Sequence, residues 1–329
     1  MPHSHHSHSG QFCKHAVGAL QDVVREAINQ GFETYGLTEH VPRYRPQDLY
    51  PEESELSIES LSDQFDAYLA EAHRLKSLYS SQITLLVGLE TEYITPVDLD
   101  QLLKLIDRNQ GQVEYLIGSV HHVNGIPIDF DLETYQRCIA TIPLSLDSEG
   151  VDETNLEHKR QCAFLEMYFD AQHELMQRVH PEIIGHIDLC RLYSPALRLH
   201  DYTRAWARLE RNVKYAVSYG ALFEANAAAF RKGWDGAYPG EDVVELIRRC
   251  GGRFSLSDDS HGPHAVGLNY GRLRNYLRRV GVHELWVLER TGVPNAAGRP
   301  VKAVRVEGRW WEHVFWEGKD SGDEGQVYR

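Results

Sequence analysis

Cysteine is scarce in this chain of 329 residues, and its five copies are poorly placed for any shared task. Cys13, Cys138, Cys162, Cys190 and Cys250 are scattered, odd in number and never in C-x-x-C spacing. That argues against a disulfide framework and against a thiolate zinc site. Long apolar runs are missing too. None approaches the roughly eighteen residues that span a bilayer, so no membrane partner is expected. The N-terminus has neither an apolar signal core nor an Arg-rich presequence, which predicts a cytoplasmic protein. Positive charge is in deficit, with 34 Lys and Arg against 48 Asp and Glu and a formal charge of −14. A binder of phosphate backbone shows a basic face, so no nucleic acid is expected, and a small-molecule substrate is. No internal repeat occurs. Hydrophobic content of 42% and charged content of 25% are those of a globular protein, and the length allows one large domain or two ordinary ones.

Histidine is plentiful, at eighteen copies. It is concentrated in the opening MPHSHHSHSGQFCKH, where His6 and His8 form a His-x-His pair and His15 follows. Residues i and i+2 of a strand face one side, so one short strand aims both imidazoles at one metal ion. A solvated tail or a tag remnant is the competing reading. Downstream, short apolar runs alternate with helical segments. Val17, Leu20, Val24 and Ile28 recur at helical spacing. FETYGLTEH (32–40), ITLLVGLE (83–90), YLIGSVHH (115–122), EIIGHIDL (182–189), ALFEAN (221–226) and RFSLSDDSH (253–261) read as strands. With the opening strand this makes seven strand–helix repeats, each with polar residues near its C-terminal end. Alternating strands and helices predict an α/β fold of parallel βα units. An open doubly wound sheet gathers ligands at one crevice. Polar ends on every strand instead predict a closed or nearly closed TIM-like barrel. Residues 41–56 and 124–156 read as insertions. The barrel is expected to occupy 1–282. The remaining 283–329 form a small appendage, with HELWVLER and VKAVRVEG paired, Trp310, Trp311 and Trp316 packing it down, and a mobile tail.

The strand-end residues are His6, His8, His15, His40, Glu90, His121, His186, Asp259 and His261. A single histidine is usually structural. Nine metal-ligating residues at corresponding positions are not, because accidents would scatter along the strands. One zinc ion takes three or four ligands, so this set exceeds one ion, and Glu90, ending a wholly apolar strand, is placed to bridge two. Imidazole with carboxylate suits zinc, iron and manganese alike. His3 and His5 precede the pair and are expected to be solvated. His122 follows His121 on its strand and is expected to face the other way.

The segments HSHSGQFCKHA, GLTEH, GLETEY, GSVHH, IIGHIDL, EANAAAFRKG and SDDSHGPHAVG, in this order and spacing, resemble the PHP family (polymerase and histidinol phosphatase) over residues 3 to about 280. Within it the chain most resembles the monofunctional histidinol-phosphatases. The resemblance implies a distorted (β/α)7 barrel and a centre of three divalent metal ions, zinc first, with iron or manganese as alternatives. One ion would take His6, His8, Glu90 and Asp259, a second Glu90, His121 and His186, and a third His15, His40 and His261. The family's first motif usually opens with Asp where this chain has Ser4, which bears on how the ligands are oriented. The implied activity is hydrolysis of the small phosphate ester L-histidinol phosphate in histidine biosynthesis. A hydroxide bridging two ions would be the nucleophile, since bound cations lower the pKa of water, with Glu90 and Asp259 holding those ions. Arg231 and Lys232, and the strand end carrying Glu224 and Asn226, are the expected phosphate contacts. Asp129, Glu39, Asp188 and Asp258 are candidates to face the cationic head, and His264 a candidate proton donor to the leaving group. The alternatives are another PHP phosphoesterase, acting on a different small phosphate or on nucleic-acid ends, and a metal-binding protein without turnover. Nothing in the sequence gives the oligomeric state.

Overall fold

The structure is a computed structural model and describes residues 2–144 and 153–319. Seven parallel strands make the central sheet in the order β1-β3-β4-β5-β8-β9-β10, which is also their order along the chain. They are β1 (His3–Ser4), β3 (Thr34–Leu37), β4 (Thr84–Glu90), β5 (Tyr115–Gly118), β8 (Ile183–Ile184), β9 (Leu222–Asn226) and β10 (Arg253–Ser257). The sheet curls until its edges meet: the His5 amide donates to the Leu256 carbonyl at 3.3 Å. Just beyond that seam, β2 (Ser7–His8) pairs in parallel with β11 (Ser260–His261). The fold is the nearly closed seven-stranded α/β barrel that the alternation predicts.

Helices cover the outside. In α1 (Leu20–Asn29) the buried residues Leu20, Val23, Val24 and Ala27 form one stripe. Helix α2 (Ile58–Leu78) starts on a Ser57–Ser60 capping box. The others are α3 (Pro96–Arg108), α4 (Leu132–Ala140), α5 (Glu153–Val179), α6 (Thr203–Tyr219), the single turn α7 (Ala228–Arg231), α8 (Glu241–Arg249) and α9 (Tyr270–Arg279). Among the described residues, no helix is long and apolar enough to cross a membrane.

The barrel interior is a separate apolar plug of Leu86, Tyr115, Ile117, Ile183 and Leu222. Tyr115 crosses it and donates its hydroxyl to the His5 carbonyl at 2.6 Å. Two glycines make room for that ring. A Cβ on Gly36 would meet the Tyr115 hydroxyl at 2.0 Å, and one on Gly88 would meet the ring at 2.6 Å. The C-terminal segment closes the plug from below. β12 (Trp286–Arg290) and β13 (Val301–Arg305) form an antiparallel hairpin, and its Leu288 and Val301 join the interior cluster. Trp310 and Trp316 are buried, and Trp311 is half-buried. Most of the expected tail, and residues 145–152 of the second insertion, lie outside the described residues.

Local details depart from the sequence reading. No single strand carries both His6 and His8: β1 ends at Ser4, β2 begins at Ser7, and His6 sits in the break between them. His3 and His5 are not solvated. Both are fully buried, with their Nε2 atoms accepting from the Leu256 and Leu288 amides at 3.0 Å. A neutral imidazole is a good internal acceptor, so these two hold the barrel seam and the hairpin. A small hairpin, β6 (His122–Val123) with β7 (Ile126–Pro127), straddles the start of the second insertion and is followed by α4.

Candidate metal centre

All nine expected donors converge at the C-terminal mouth of the barrel. Glu90, the last residue of β4, is buried at its middle. Its Oε1 lies 3.0 Å from His186 Nε2, 3.2 Å from His121 Nε2 and 3.2 Å from His6 Nε2. Its Oε2 lies 3.4 Å from His8 Nε2 and 2.9 Å from His40 Nδ1. One carboxylate thus faces two groups of histidines with different oxygens, as a bridge must. The remaining spacings are as tight: His6 Nε2 to His8 Nε2 is 3.1 Å, and His15 Nε2 to His40 Nε2 is 3.3 Å. Two nitrogens at about 2.0–2.1 Å from one zinc ion stand roughly 3.3 Å apart at the tetrahedral angle. The donors therefore form sets that each fit one ion: His6, His8 and Glu90; Glu90, His121 and His186; His15, His40 and His261, with His8, Asp259 and His261 as an overlapping set.

Several outer nitrogens face carboxylates, which leaves the inner ones of those rings free to ligate. His6 Nδ1 donates to Glu224 at 2.7 Å, and the same carboxylate accepts from the His186 amide at 2.8 Å. His121 Nδ1 and His122 Nδ1 both face Glu92, at 3.1 and 3.2 Å. His15 Nδ1 faces Glu52 and His8 Nδ1 faces Glu39, each at 3.5 Å. Burial pulls the His6 imidazole down, but Glu90, Asp259 and Glu224 outweigh it and hold it well above its usual range. Burial pushes the Glu90 carboxyl up, but His6, His121 and His40 outweigh that and keep it well below the usual carboxylate range. His40 and His261 are lowered, first by burial and then by His8. Ligation requires ionised carboxylates and neutral imidazoles, so a divalent cation bound here would displace the proton that the carboxylates otherwise hold on His6.

Asp259 occupies the left-handed region at φ 47°, a costly conformation for a residue with a Cβ. Arg231 braces that turn by donating to the carbonyls of Asp258 and Asp259 at 3.1 and 2.7 Å. Ser4 donates to Asp258 at 3.0 Å. Beyond the donors opens a cavity of about 630 Å³, lined by Arg231, Lys232, Asp129 and His264 among others.

Three expectations need correction. Glu224 and Asn226 do not face the cavity. Both are buried, and Asn226 donates to Glu224 at 3.0 Å and to Asp259 at 3.2 Å. A buried carboxylate is also a poor partner for a phosphate dianion, and its work here is to orient His6. Asp188 accepts from Arg191 and the Gly240 amide, and Glu39 accepts from Ser9. Of the four acids considered for the cationic head, only Asp129 lines the cavity. His122 does not turn away but shares Glu92 with His121. Sequence reasoning missed Glu92, Glu52 and Tyr238. Glu92 carried a signal, standing two residues after Glu90. Glu52 reaches the cavity from a one-turn 3-10 helix (Pro51–Glu53) and Tyr238 from the segment before α8, where no periodicity marks them.

The sequence pattern of the PHP domain matches residues 4–228. A "Probable histidinol-phosphatase" of Schizosaccharomyces pombe is 45% identical over 97% of this chain and 99% of its own length. The histidinol-phosphatase of Saccharomyces cerevisiae is 31% identical, over 84% of this chain and 88% of its own. Among solved structures, the histidinol phosphate phosphatase of Lactococcus lactis, complexed with zinc, L-histidinol and phosphate, superposes with a TM-score of 0.58. It is 16% identical and covers 92% of this chain and 98% of that one.

Proposed function

Because the chain belongs to the PHP domain family, we propose that it is a metal-dependent phosphomonoesterase that hydrolyses L-histidinol phosphate to L-histidinol and phosphate, a cytoplasmic step of histidine biosynthesis. The observation that carries the reading is the convergence of donor sets on the two oxygens of Glu90, at the floor of a cavity with Arg231 at its edge. Divalent cations held there supply Lewis acidity and draw the pKa of water toward neutrality. His6, His8, Glu90 and Asp259 are the proposed ligands of one ion, Glu90, His121 and His186 of a second, and His15, His40 and His261 of a third. Zinc is the first candidate, then iron or manganese.

The chain's own residues do the rest. Glu224, Glu92, Glu52 and Glu39 fix ring orientation, so no histidine must reorganise as charge builds on the phosphoryl group. Arg231 is braced on two carbonyls, and its guanidinium presents its other N–H groups to a phosphate oxygen without losing much freedom. Lys232 is exposed and adds positive potential at the mouth. Asp129, with a buried oxygen that has no hydrogen-bond partner, receives the cationic head. His264, at the cavity wall, is the candidate proton donor to the departing alkoxide.

The test is phosphate release from L-histidinol phosphate beside a panel of other phosphomonoesters, with enzyme as purified and after chelation. Selective turnover lost on chelation and restored by zinc, manganese or iron is the expected result. Equal rates across the panel would remove the substrate assignment. Inactivity with metal bound would remove the reaction itself.

A further inference from the structure

Cys13 takes no part in the donor sets above, yet it is packed against two of their members. Its Sγ lies 3.2 Å from His15 Nε2. It also falls, with His8 and His40, in a group whose donor atoms all lie within 4.8 Å of one another. The thiol is 6% exposed, and it lines a void of about 30 Å³ behind the imidazoles, walled also by Glu39, His15 and His40. His15 and His40 border both this void and the substrate cavity, whereas Cys13 borders the void alone. A second group marks the place. Glu39 is 2% exposed, and its Oε2 has no hydrogen-bond partner although it is buried. The nearest group to that oxygen is the His8 ring, whose Nδ1 stands 3.5 Å away, and the buried Arg43 also lines the void, so the thiol and the carboxylate both face the imidazole cluster.

We propose that Cys13 is a sulfur donor to the ion of the His15, His40 and His261 site, approaching it from the side away from the substrate. The spacing fits. With zinc–sulfur at about 2.3 Å and zinc–nitrogen at about 2.0–2.1 Å, sulfur and nitrogen on one ion stand roughly 3.2–3.6 Å apart. The donor set becomes nitrogen with one thiolate. Thiolate favours zinc over manganese, so this residue selects the metal where imidazole and carboxylate alone do not. The loop makes the approach: the Phe12 and Cys13 amides both donate to the Ser9 carbonyl, a tight turn that points residue 13 back at His15. Cysteine spacing gave no hint of it, because the other donors come from distant strands.

The inference rests on the metal-centre reading but not on the substrate. X-ray absorption at the zinc edge of the metal-loaded protein should show a sulfur scatterer at about 2.3 Å. Cobalt-substituted protein should show a thiolate-to-cobalt charge-transfer band in the near ultraviolet. Cys13→Ser should lose both signals, and its third metal should exchange with a chelator tenfold or more faster, at an unchanged far-ultraviolet circular dichroism spectrum. A wild-type spectrum with nitrogen and oxygen scatterers only would overturn the proposal, and so would a Cys13→Ser protein that keeps the cobalt band. Either result leaves the phosphatase assay free to succeed. Conversely, sulfur ligation in a protein that turns over no phosphoester would sink the proposed function and leave this inference standing.

Discussion

Glu224 shows how much one side chain outside the donor set decides. It holds the His6 Nδ1 proton, the His186 amide and the Asn226 side chain together. Removing such a partner typically costs ten- to a hundredfold in metal affinity. Glu224→Ala is expected to lose metal in a chelator competition by about that factor, with Glu224→Gln, still an acceptor, losing less. Arg231 makes a different contribution, because it contacts backbone on one side and borders the cavity on the other. Arg231→Ala should raise KM for the phosphoester about tenfold, on the order of 1.4 kcal/mol. Steady-state kinetics at full metal occupancy checks this, and wild-type kinetics would dismiss the phosphate role.

Strands β3 and β4 owe their close packing to two glycines. A methyl at Gly36 would overlap the Tyr115 hydroxyl and approach the His5 backbone, in an interior with no slack. Gly36→Ala should therefore destabilise by roughly 1–3 kcal/mol or more, the usual cost of overpacking, read as a lowered denaturant midpoint. The hairpin β12–β13 depends on His5, whose Nε2 accepts from the Leu288 amide. Burial first, and the neighbouring His3 second, push this imidazole well below its usual value. The folded chain then binds no proton at His5 where the unfolded chain does. Stability is complete above about pH 6.5 and falls below it, by up to about 1.4 kcal/mol per pH unit for this one group. Denaturant unfolding of the wild type and His5→Gln between pH 7.5 and 5 should show the shallower decline in the variant. Parallel slopes would exclude His5 as the titrating group.

The donors are spread over 255 residues of the 329-residue chain, from His6 near its start to His261. Ions that hold them add their binding free energy to folding. Chelated protein should melt at a lower temperature, and adding metal at about a thousand times its dissociation constant should return about 4 kcal/mol of stability. An unchanged melting curve would mean that the ligands do not depend on metal for their arrangement. The acidic wall of the cavity belongs to the same level. Asp129 and Phe130 from one insertion meet Tyr50 and Glu52 from the other, with the Tyr50 and Phe130 rings stacked at 6.1 Å.

The sequence alone determined the fold class and pointed to the residues that converge at the barrel mouth. Strand ends recur at intervals that local periodicity reveals, and ligands at the ends of parallel strands share one mouth whatever the details between them. It could not separate solvated from buried histidine in the opening MPHSHHSHS, since His3, His5, His6 and His8 look alike until β10 and the hairpin pack against them. It read Glu224 and Asn226 as phosphate contacts because they end a strand, as ligands do. Only the closed barrel turns Glu224 toward His6. Chain order cannot give such assignments, because a side chain's role follows from its neighbours in space, and those come from strands more than 200 residues away.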